Sequence, residues 1–173
     1  MDAHIYFKQM NTELLGLSVD SNSSHLAWMY DIYCRTGIKI SFPIIADRNG
    51  EIARKYGMIA NEISNTQAVR NVFIIDDKGI IRVILVYPMN VGRFIPEILR
   101  TVRALQMVDC NGGATAANWM PNQPMIVPIP NTYEELEGRV ESIEKNRNGI
   151  NWYLSFEQPK QECIENDTNN TDS

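Results

Sequence analysis

Residues 70–87 read RNVFIIDDKGIIRVILVY and carry the clearest structural signal in the chain. Two β-rich runs, Val72–Ile75 and Ile80–Tyr87, are joined by a polar Asp-Asp-Lys-Gly sequence. Such a turn between two apolar runs predicts an antiparallel hairpin, in which Gly79 supplies the positive φ that the turn needs. Pro88 follows directly and, because it has no backbone N–H, predicts the end of the second strand.

Two short apolar runs lie upstream of the hairpin. Residues 13–19 (ELLGLSV) and 42–46 (FPIIA) are apolar on both faces, which is typical of buried central strands. Between them, apolar offsets of three and four predict an amphipathic helix that ends at Gly37. The expected apolar face of that helix consists of Leu26, Ala27, Met29, Tyr30, Tyr33 and Cys34. Residues 51–56 are predicted to form a short helix and residues 59–68 a loop.

A strong helix and then an extended arm follow the hairpin. The apolar face of this helix is predicted to carry Phe94, Ile95, Ile98, Leu99, Val102 and Leu105. Beyond residue 109, glycines and prolines predict an extended segment with an apolar centre at Met125–Val127. A polar helix over Tyr133–Asn146 is capped by Thr132, with Glu135 three residues further on.

Composition and charge exclude several classes of function. A chain of 173 residues, 44% hydrophobic and 21% charged, can build a sizeable core. Its net charge of -5 argues against nucleic acid as a partner, since phosphate binding needs a basic face. No apolar run approaches the roughly 20 residues of a membrane span, and the first residues lack the order of a signal peptide. We therefore predict a cytoplasmic protein that binds neither nucleic acid nor membranes.

The cysteines and histidines do not form a recognisable redox or metal motif. Three widely spaced cysteines without C-x-x-C are neither a disulfide framework nor a thioredoxin-like reductase motif. Cys34 is expected to be a small buried hydrophobe, Cys110 lies beside a carboxylate that disfavours a thiolate, and Cys163 falls in a polar tail. His25 is expected at a helix surface. No histidine pairs with a cysteine at zinc spacing, so we expect neither metal nor cofactor.

Several blocks of the sequence, in the same order, resemble the peroxiredoxin family. These blocks are Asn11–Asp20, Phe42–Asp47, Val69–Ile74, Tyr87-Pro88, Gly92-Arg93, Ala117–Trp119 and Met125–Pro128. The last two resemble the one-cysteine type with a long C-terminal extension. The resemblance covers Phe7 to Pro159 and implies a thiol-dependent peroxidase that reduces hydrogen peroxide and alkyl hydroperoxides. It also implies a thiol reductant as a second partner.

The family's nucleophile motif, Pro-x-x-x-Thr/Ser-x-x-Cys at the start of a helix, does not occur in this sequence. In the family it precedes the strand that matches Glu13–Val19, and Met1–Phe7 resembles the later part of the same helix. The implied fold is therefore α/β and thioredoxin-like, lacking its first strand–helix unit, with an extended C-terminal arm. We expect this chain to be truncated before its first residue and inactive by itself. The alternative is a non-catalytic module that only mediates subunit association.

The resemblance assigns catalytic roles to two arginines. Peroxide reduction needs a thiolate that attacks one peroxide oxygen and becomes a sulfenic acid. A nearby cation favours the thiolate and stabilises the departing oxygen. Arg70, at the start of the first hairpin strand, matches the family arginine with this role. Arg93 matches a second one and is expected in the first helical turn, an unfavourable place for a cation. The alternative for both is a solvated surface residue.

The C-terminal arm is predicted to pack on a neighbouring subunit. It carries the apolar anchors Trp119, Met125, Ile126, Val127, Trp152 and Tyr153 on a proline-rich segment. Apolar residues on a segment with no core of its own need another surface, and by resemblance this is a homodimer or larger ring. Some relatives carry two cysteines in the part that matches Gly149–Ser155, where this chain has glycine and serine. We expect a core over 1–108, an arm over 109–157 and a disordered tail over 158–173.

Overall fold

The computed structural model describes residues 3–59 and 70–160. The helices are α1 (His4–Gln9), α2 (Asn22–Thr36), α3 (Glu51–Lys55), α4 (Ile95–Asn111) and α5 (Tyr133–Asn146). The strands are β1 (Gly16–Ser18), β2 (Ile44–Ala46), β3 (Arg70–Ile75), β4 (Ile81–Tyr87), β5 (Met125–Ile126), β6 (Gly149–Asn151) and β7 (Leu154–Glu157). Almost all of the predicted loop at 59–68 and tail at 158–173 lies outside the described residues.

The chain divides into two compact units between Ile95 and Pro96. This division falls at the first residue of α4, whereas the predicted boundary between core and arm, after residue 108, falls in the last turn of that helix. The predicted domain limits stay a prediction. None of the helices in the described ranges has the length and apolar character needed to cross a membrane.

In the first unit, β1 and β2 pair in parallel, with Leu17 opposite Ile45. The connecting helix α2 begins where the Oγ of Ser21 accepts a hydrogen bond from the Ser24 backbone N–H at 3.1 Å. It ends at Gly37, whose left-handed φ of 72° a residue with a side chain rarely adopts. The predicted strand–helix–strand order is confirmed, with shorter strands than the apolar runs indicated.

The hairpin of β3 and β4 forms as predicted, with Arg70 opposite Tyr87 at its open end. At the turn, Oδ1 of Asp76 accepts backbone hydrogen bonds from Lys78 at 3.0 Å and Ile80 at 2.9 Å. The bond from Ile80 is the main reason that the pKa of Asp76 lies below its usual value. Within the described residues, the β1–β2 pair and the hairpin are separate two-stranded sheets.

The face predicted to be apolar on α2 is largely exposed, which corrects the sequence reading. Tyr30 is 70% exposed, and Cys34 is an exposed free thiol rather than a buried hydrophobe. The buried side of the helix instead contains His25, which is 8% exposed and not a surface residue as expected. Trp28 is also apolar but lies outside the predicted apolar face of α2. The positions of the apolar residues therefore do not determine which side of the helix is buried.

The second unit has a core of its own. In α4, Ala104 and Met107 form a buried cluster with Trp119 and Met125 of the arm. Trp119 is only 1% exposed, and its indole N–H donates to the backbone carbonyl of Gln123 at 3.0 Å. The expectation that these anchors need another subunit is therefore wrong for Trp119 and Met125. Trp152 differs, because it remains 40% exposed.

A small sheet and α5 complete the second unit. The strands lie in the order β5–β7–β6, and β6 pairs antiparallel with β7. Trp152 and Tyr153, which connect these two strands, therefore belong to a hairpin. The bounds of α5 match the prediction, and Oγ1 of Thr132 accepts from the Glu135 backbone N–H at 3.1 Å. Ser155, 1% exposed, lies opposite Gly149 and accepts a hydrogen bond from Arg139 at 2.6 Å.

Candidate active site

Arg70 lies at the open end of the hairpin, as the first residue of β3. Its side chain is exposed, and its Nε donates to the backbone carbonyl of Met89 at 2.7 Å. This bond ties the strand to the segment that follows β4. Across the described part of the chain the terminal nitrogens of Arg70 make no further hydrogen bond, so they can donate to a bound molecule.

Arg93 lies beside the same end of the hairpin. Its Nη2 donates to the backbone carbonyl of Asn71, the neighbour of Arg70, at 3.3 Å. Arg93 is not in the first turn of a helix, as the sequence reading expected, because α4 begins at Ile95 with Pro96 in its first turn. Arg93 therefore precedes the helix by two residues, on the side of its positive end, rather than lying within its first turn.

The two guanidinium groups interact electrostatically. Partial burial lowers the pKa of Arg93, and the positive charge of Arg70 lowers it further, while Tyr87 acts in the opposite direction. Two like charges held together by backbone hydrogen bonds repel one another and favour the arrival of a negative charge. Arginine suits this role because it stays charged at any working pH and presents several donors in one plane.

The acceptors that hold the arginines could not be found from the sequence. Both are backbone carbonyls, of Met89 and Asn71, and every residue of a chain carries such a group. The one available signal was the resemblance of Tyr87-Pro88 and Gly92-Arg93 to blocks of a known family. The pairing of Arg70 with Tyr87 brings the first block to the open end of the hairpin, and the hydrogen bond from Arg93 to the Asn71 carbonyl brings the second.

The cysteines are poorly placed to act as the nucleophile. Cys34 is in the last turn of α2, where the helix dipole disfavours an anion. Its neighbour Arg35 is already paired, with Nε 2.8 Å from the carboxylate of Asp31. Cys110 is disulfide-bonded and so is not a free thiol, and Cys163 lies outside the described residues. In the described ranges, no free thiol lies at the start of a helix.

Comparison with known proteins places this α/β chain in a family. The model of the AhpC/TSA family matches residues 1–84, and that of the C-terminal domain of 1-Cys peroxiredoxin matches residues 104–142. Peroxiredoxin 2 of Caldanaerobacter subterraneus subsp. tengcongensis is 51% identical over 152 residues, which cover 88% of this chain and 68% of the relative. The peroxiredoxin of Aquifex aeolicus is 47% identical, with coverages of 86% and 70%.

Solved structures agree with this assignment. A mutant of peroxiredoxin 6 from Arenicola marina superimposes with a TM-score of 0.74 at 28% identity, covering 92% of this chain and 76% of that one. A yeast mitochondrial 1-Cys peroxiredoxin gives 0.75 at 34% identity, covering 90% and 75%. The chain belongs to the peroxiredoxin family and has its thioredoxin-like α/β fold. Its function is that of the family, which consists of thiol-dependent oxidoreductases that reduce peroxides.

Proposed function

We propose that this chain supplies the arginine side of a one-cysteine peroxiredoxin site, and that the peroxidatic thiolate comes from a segment outside its 173 residues. The observation that carries the proposal is the placement of Arg70 and Arg93 together at the open end of the hairpin. A site on a β ladder is held more rigidly than one on a loop. The substrate is hydrogen peroxide or a small alkyl hydroperoxide.

The chemical step needs one thiolate and one peroxide. The sulfur attacks one peroxide oxygen, a new S–O bond forms and the O–O bond breaks. The departing oxygen takes both electrons of the broken bond and a proton, and leaves as water or an alcohol. Arg70 donates to the peroxide and stabilises the charge on the departing oxygen, while Arg93 keeps the site positive. A reductant thiol then condenses with the sulfenic acid to form a mixed disulfide with loss of water, and a second reductant thiol attacks this disulfide, releases the peroxidatic thiol and leaves as the oxidised disulfide.

Two observations support an external thiolate. The sequence contains no Pro-x-x-x-Thr/Ser-x-x-Cys motif, and its exposed cysteine is at the wrong end of a helix. Among residues 3–59 and 70–95, the first unit also holds two separate strand pairs, whereas a thioredoxin-like fold has one continuous sheet. A further strand–helix unit, preceding the residues of this chain, would supply both the missing pairing and the nucleophile.

The one-cysteine mechanism is supported by the β6–β7 hairpin. Gly149 and Ser155 face each other there, at positions where some relatives carry two cysteines. A Cβ at Gly149 would lie 2.8 Å from the Cα of Ser155, so a side chain does not fit without movement. The reductant is then a separate thiol; the relative from yeast mitochondria is described as resolved through glutathione and thioredoxin systems.

We further propose a homodimer or larger ring. The exposed side chains of Ile150, Trp152 and Tyr153 on the β6–β7 hairpin provide an apolar surface for a neighbouring subunit. The cytoplasmic location stays a prediction. The non-catalytic alternative, a module that only mediates association, differs from the main proposal in one measurable property, which is whether adding the nucleophile restores activity.

The test joins the residues that precede the matched region in the Caldanaerobacter relative to the start of this chain. We expect no peroxide consumption by the 173-residue chain above that of its Cys34→Ser variant, and measurable turnover by the fusion. A matched fusion with serine in place of the donor's cysteine must be inactive. If the fusion folds but stays inactive, the chain is the association module. If the unmodified chain turns over peroxide and loses this activity in Cys34→Ser, the proposed external thiolate is wrong.

A further inference from the structure

A covalent feature of the second unit lies apart from the arginines. Cys110 is an exposed residue in the last turn of α4 and is disulfide-bonded. The chain contains three cysteines, and Cys34 is a free thiol. The one remaining cysteine is Cys163, which lies outside the described residues. A bond within one chain therefore joins the end of α4 to the C-terminal tail.

A hydrogen bond between described residues brings the tail to the same place. Oδ1 of Asn111 accepts from the backbone N–H of Lys160 at 2.9 Å, and Nδ2 of Asn111 donates to the Met107 carbonyl at 3.3 Å. The amide thus joins the last turn of α4 to the segment that follows β7. Cys163 follows Lys160 by three positions, and three residues of chain reach at most about 10 Å. Because the Cα atoms of a disulfide lie roughly 4.4–6.8 Å apart, this length of chain is sufficient for a bond to Cys110.

The surroundings of Cys110 suit a bond that forms and can be opened again. The C-terminal end of a helix and the neighbouring carboxylate of Asp109 both disfavour a thiolate, so the reduced form gains little stability there. The exposure of Cys110 lets a reductant approach the bond, and exposed disulfides are among those that take part in exchange and regulation. We propose that Cys110 and Cys163 form a second redox site of this chain, a reversible disulfide that exchanges with a thiol reductant and latches the arm onto α4. The loop that this bond closes contains β5, α5, β6 and β7.

The exchange is a two-electron reaction that consumes two reductant thiols. The thiolate of the first attacks one sulfur of the disulfide, the S–S bond breaks, and its electron pair passes to the other sulfur. A second reductant thiolate attacks the mixed disulfide and releases the remaining cysteine, and each released sulfur takes up the proton that a reductant thiol lost. The reductant leaves as its own disulfide, and the reverse sequence closes the bond again. Because no peroxide and neither Arg70 nor Arg93 takes part, the proposal does not depend on the peroxidase function.

The test uses glutathione and its disulfide on the 173-residue chain. After equilibration with oxidised glutathione, free thiols are alkylated and the chain is digested without a reductant. We expect mass spectrometry to find two peptides joined through Cys110 and Cys163, and an alkylated Cys34. In excess reduced glutathione, the amides of α4 and β7 should exchange their hydrogens roughly 30-fold faster, since the unfolded chain loses the constraint of a long cross-linked loop.

Two serine variants separate the latch from other effects of reduction. Cys163→Ser should exchange at the fast rate in both glutathione buffers, because its bond cannot form. Cys34→Ser is the matched control, since it removes the free thiol and should respond to reduction as the wild type does. The proposal is wrong if Cys110 is alkylated after oxidation, is joined to Cys34 or to a second chain, or remains in its disulfide in excess reduced glutathione. A change of exchange rate in Cys163→Ser equal to that of the wild type would also contradict it.

Discussion

In the second unit, α4 buries Ala104 and Met107 against the arm, whereas in the first unit α2 leaves Tyr30 and Cys34 exposed. Both helices carry apolar residues at offsets of three and four, but those of α4 are concentrated on one face more strongly than those of α2. The second unit provides Trp119 and Met125 as partners within the chain. Within the described residues, the first unit has two strand pairs that do not join. As far as these residues go, the second unit is closed by its own side chains, and the first is open at the hairpin end that holds the candidate site.

The largest expected effect tests whether the second unit is closed. Trp119→Ala removes a side chain that is 1% exposed and should cost about 3–5 kcal/mol of unfolding free energy, since it leaves a cavity in the core. The measurement is hydrogen exchange of α4 amides, which reports this unit separately. Trp152→Ala is the matched control and should cost far less, because Trp152 is 40% exposed. Equal costs would mean that the cluster around Trp119 does not hold the unit together.

The next effect concerns the open unit and its site. In the fusion that carries a nucleophile, Arg70→Met should slow sulfenic acid formation by about 10²–10³-fold, the usual cost of losing one charge-stabilising donor. Its melting temperature should change little, because the side chain is exposed. Stopped-flow kinetics measure the rate, and Arg48→Met, another exposed arginine, is the control. A rate within about threefold of the parent, under 1 kcal/mol of barrier, would make Arg70 a solvated strand residue.

A smaller effect is expected at the start of α5. Thr132→Ala removes the Oγ1 that accepts from the Glu135 N–H and should lower the stability of the second unit by about 1 kcal/mol. Urea unfolding monitored in that unit provides the measurement, and Thr132→Ser should retain most of the stability. If Thr132→Ser loses as much as Thr132→Ala, the hydrogen bond is not what the residue contributes.

The smallest expected effect concerns the stability that each unit loses at low pH. The pKa of Asp76 in the first unit is lowered mainly by the Ile80 N–H, and that of Glu97 in the second mainly by Arg100. A carboxyl group whose pKa is lower in the folded state stabilises it above the unfolded pKa, near 4. That contribution is lost as the pH falls through the lower folded value. Asp76→Asn should therefore weaken the acid sensitivity of the first unit only, and Glu97→Gln that of the second only. Acid titrations followed by NMR would contradict this if either variant changed both units equally.

Local patterns in the sequence were sufficient for the hairpin, α5 and the ends of α2, because turns and caps depend on residues a few positions apart. Gly37, Gly79 and Thr132 each have the conformation or hydrogen bond that their local sequence indicates. The resemblance of blocks along the chain was sufficient for the family. It also singled out Arg70 and Arg93, whose catalytic roles stay a prediction.

Tertiary structure alone decided which faces are buried and which groups meet. His25 is buried and Cys34 exposed because α2 packs through a side that its apolar pattern does not single out. Trp119 packs on α4, and Arg93 reaches the carbonyl of Asn71, through contacts between residues distant in sequence. Composition and periodicity describe one segment at a time, whereas burial and charge pairing depend on what the folded chain places opposite it.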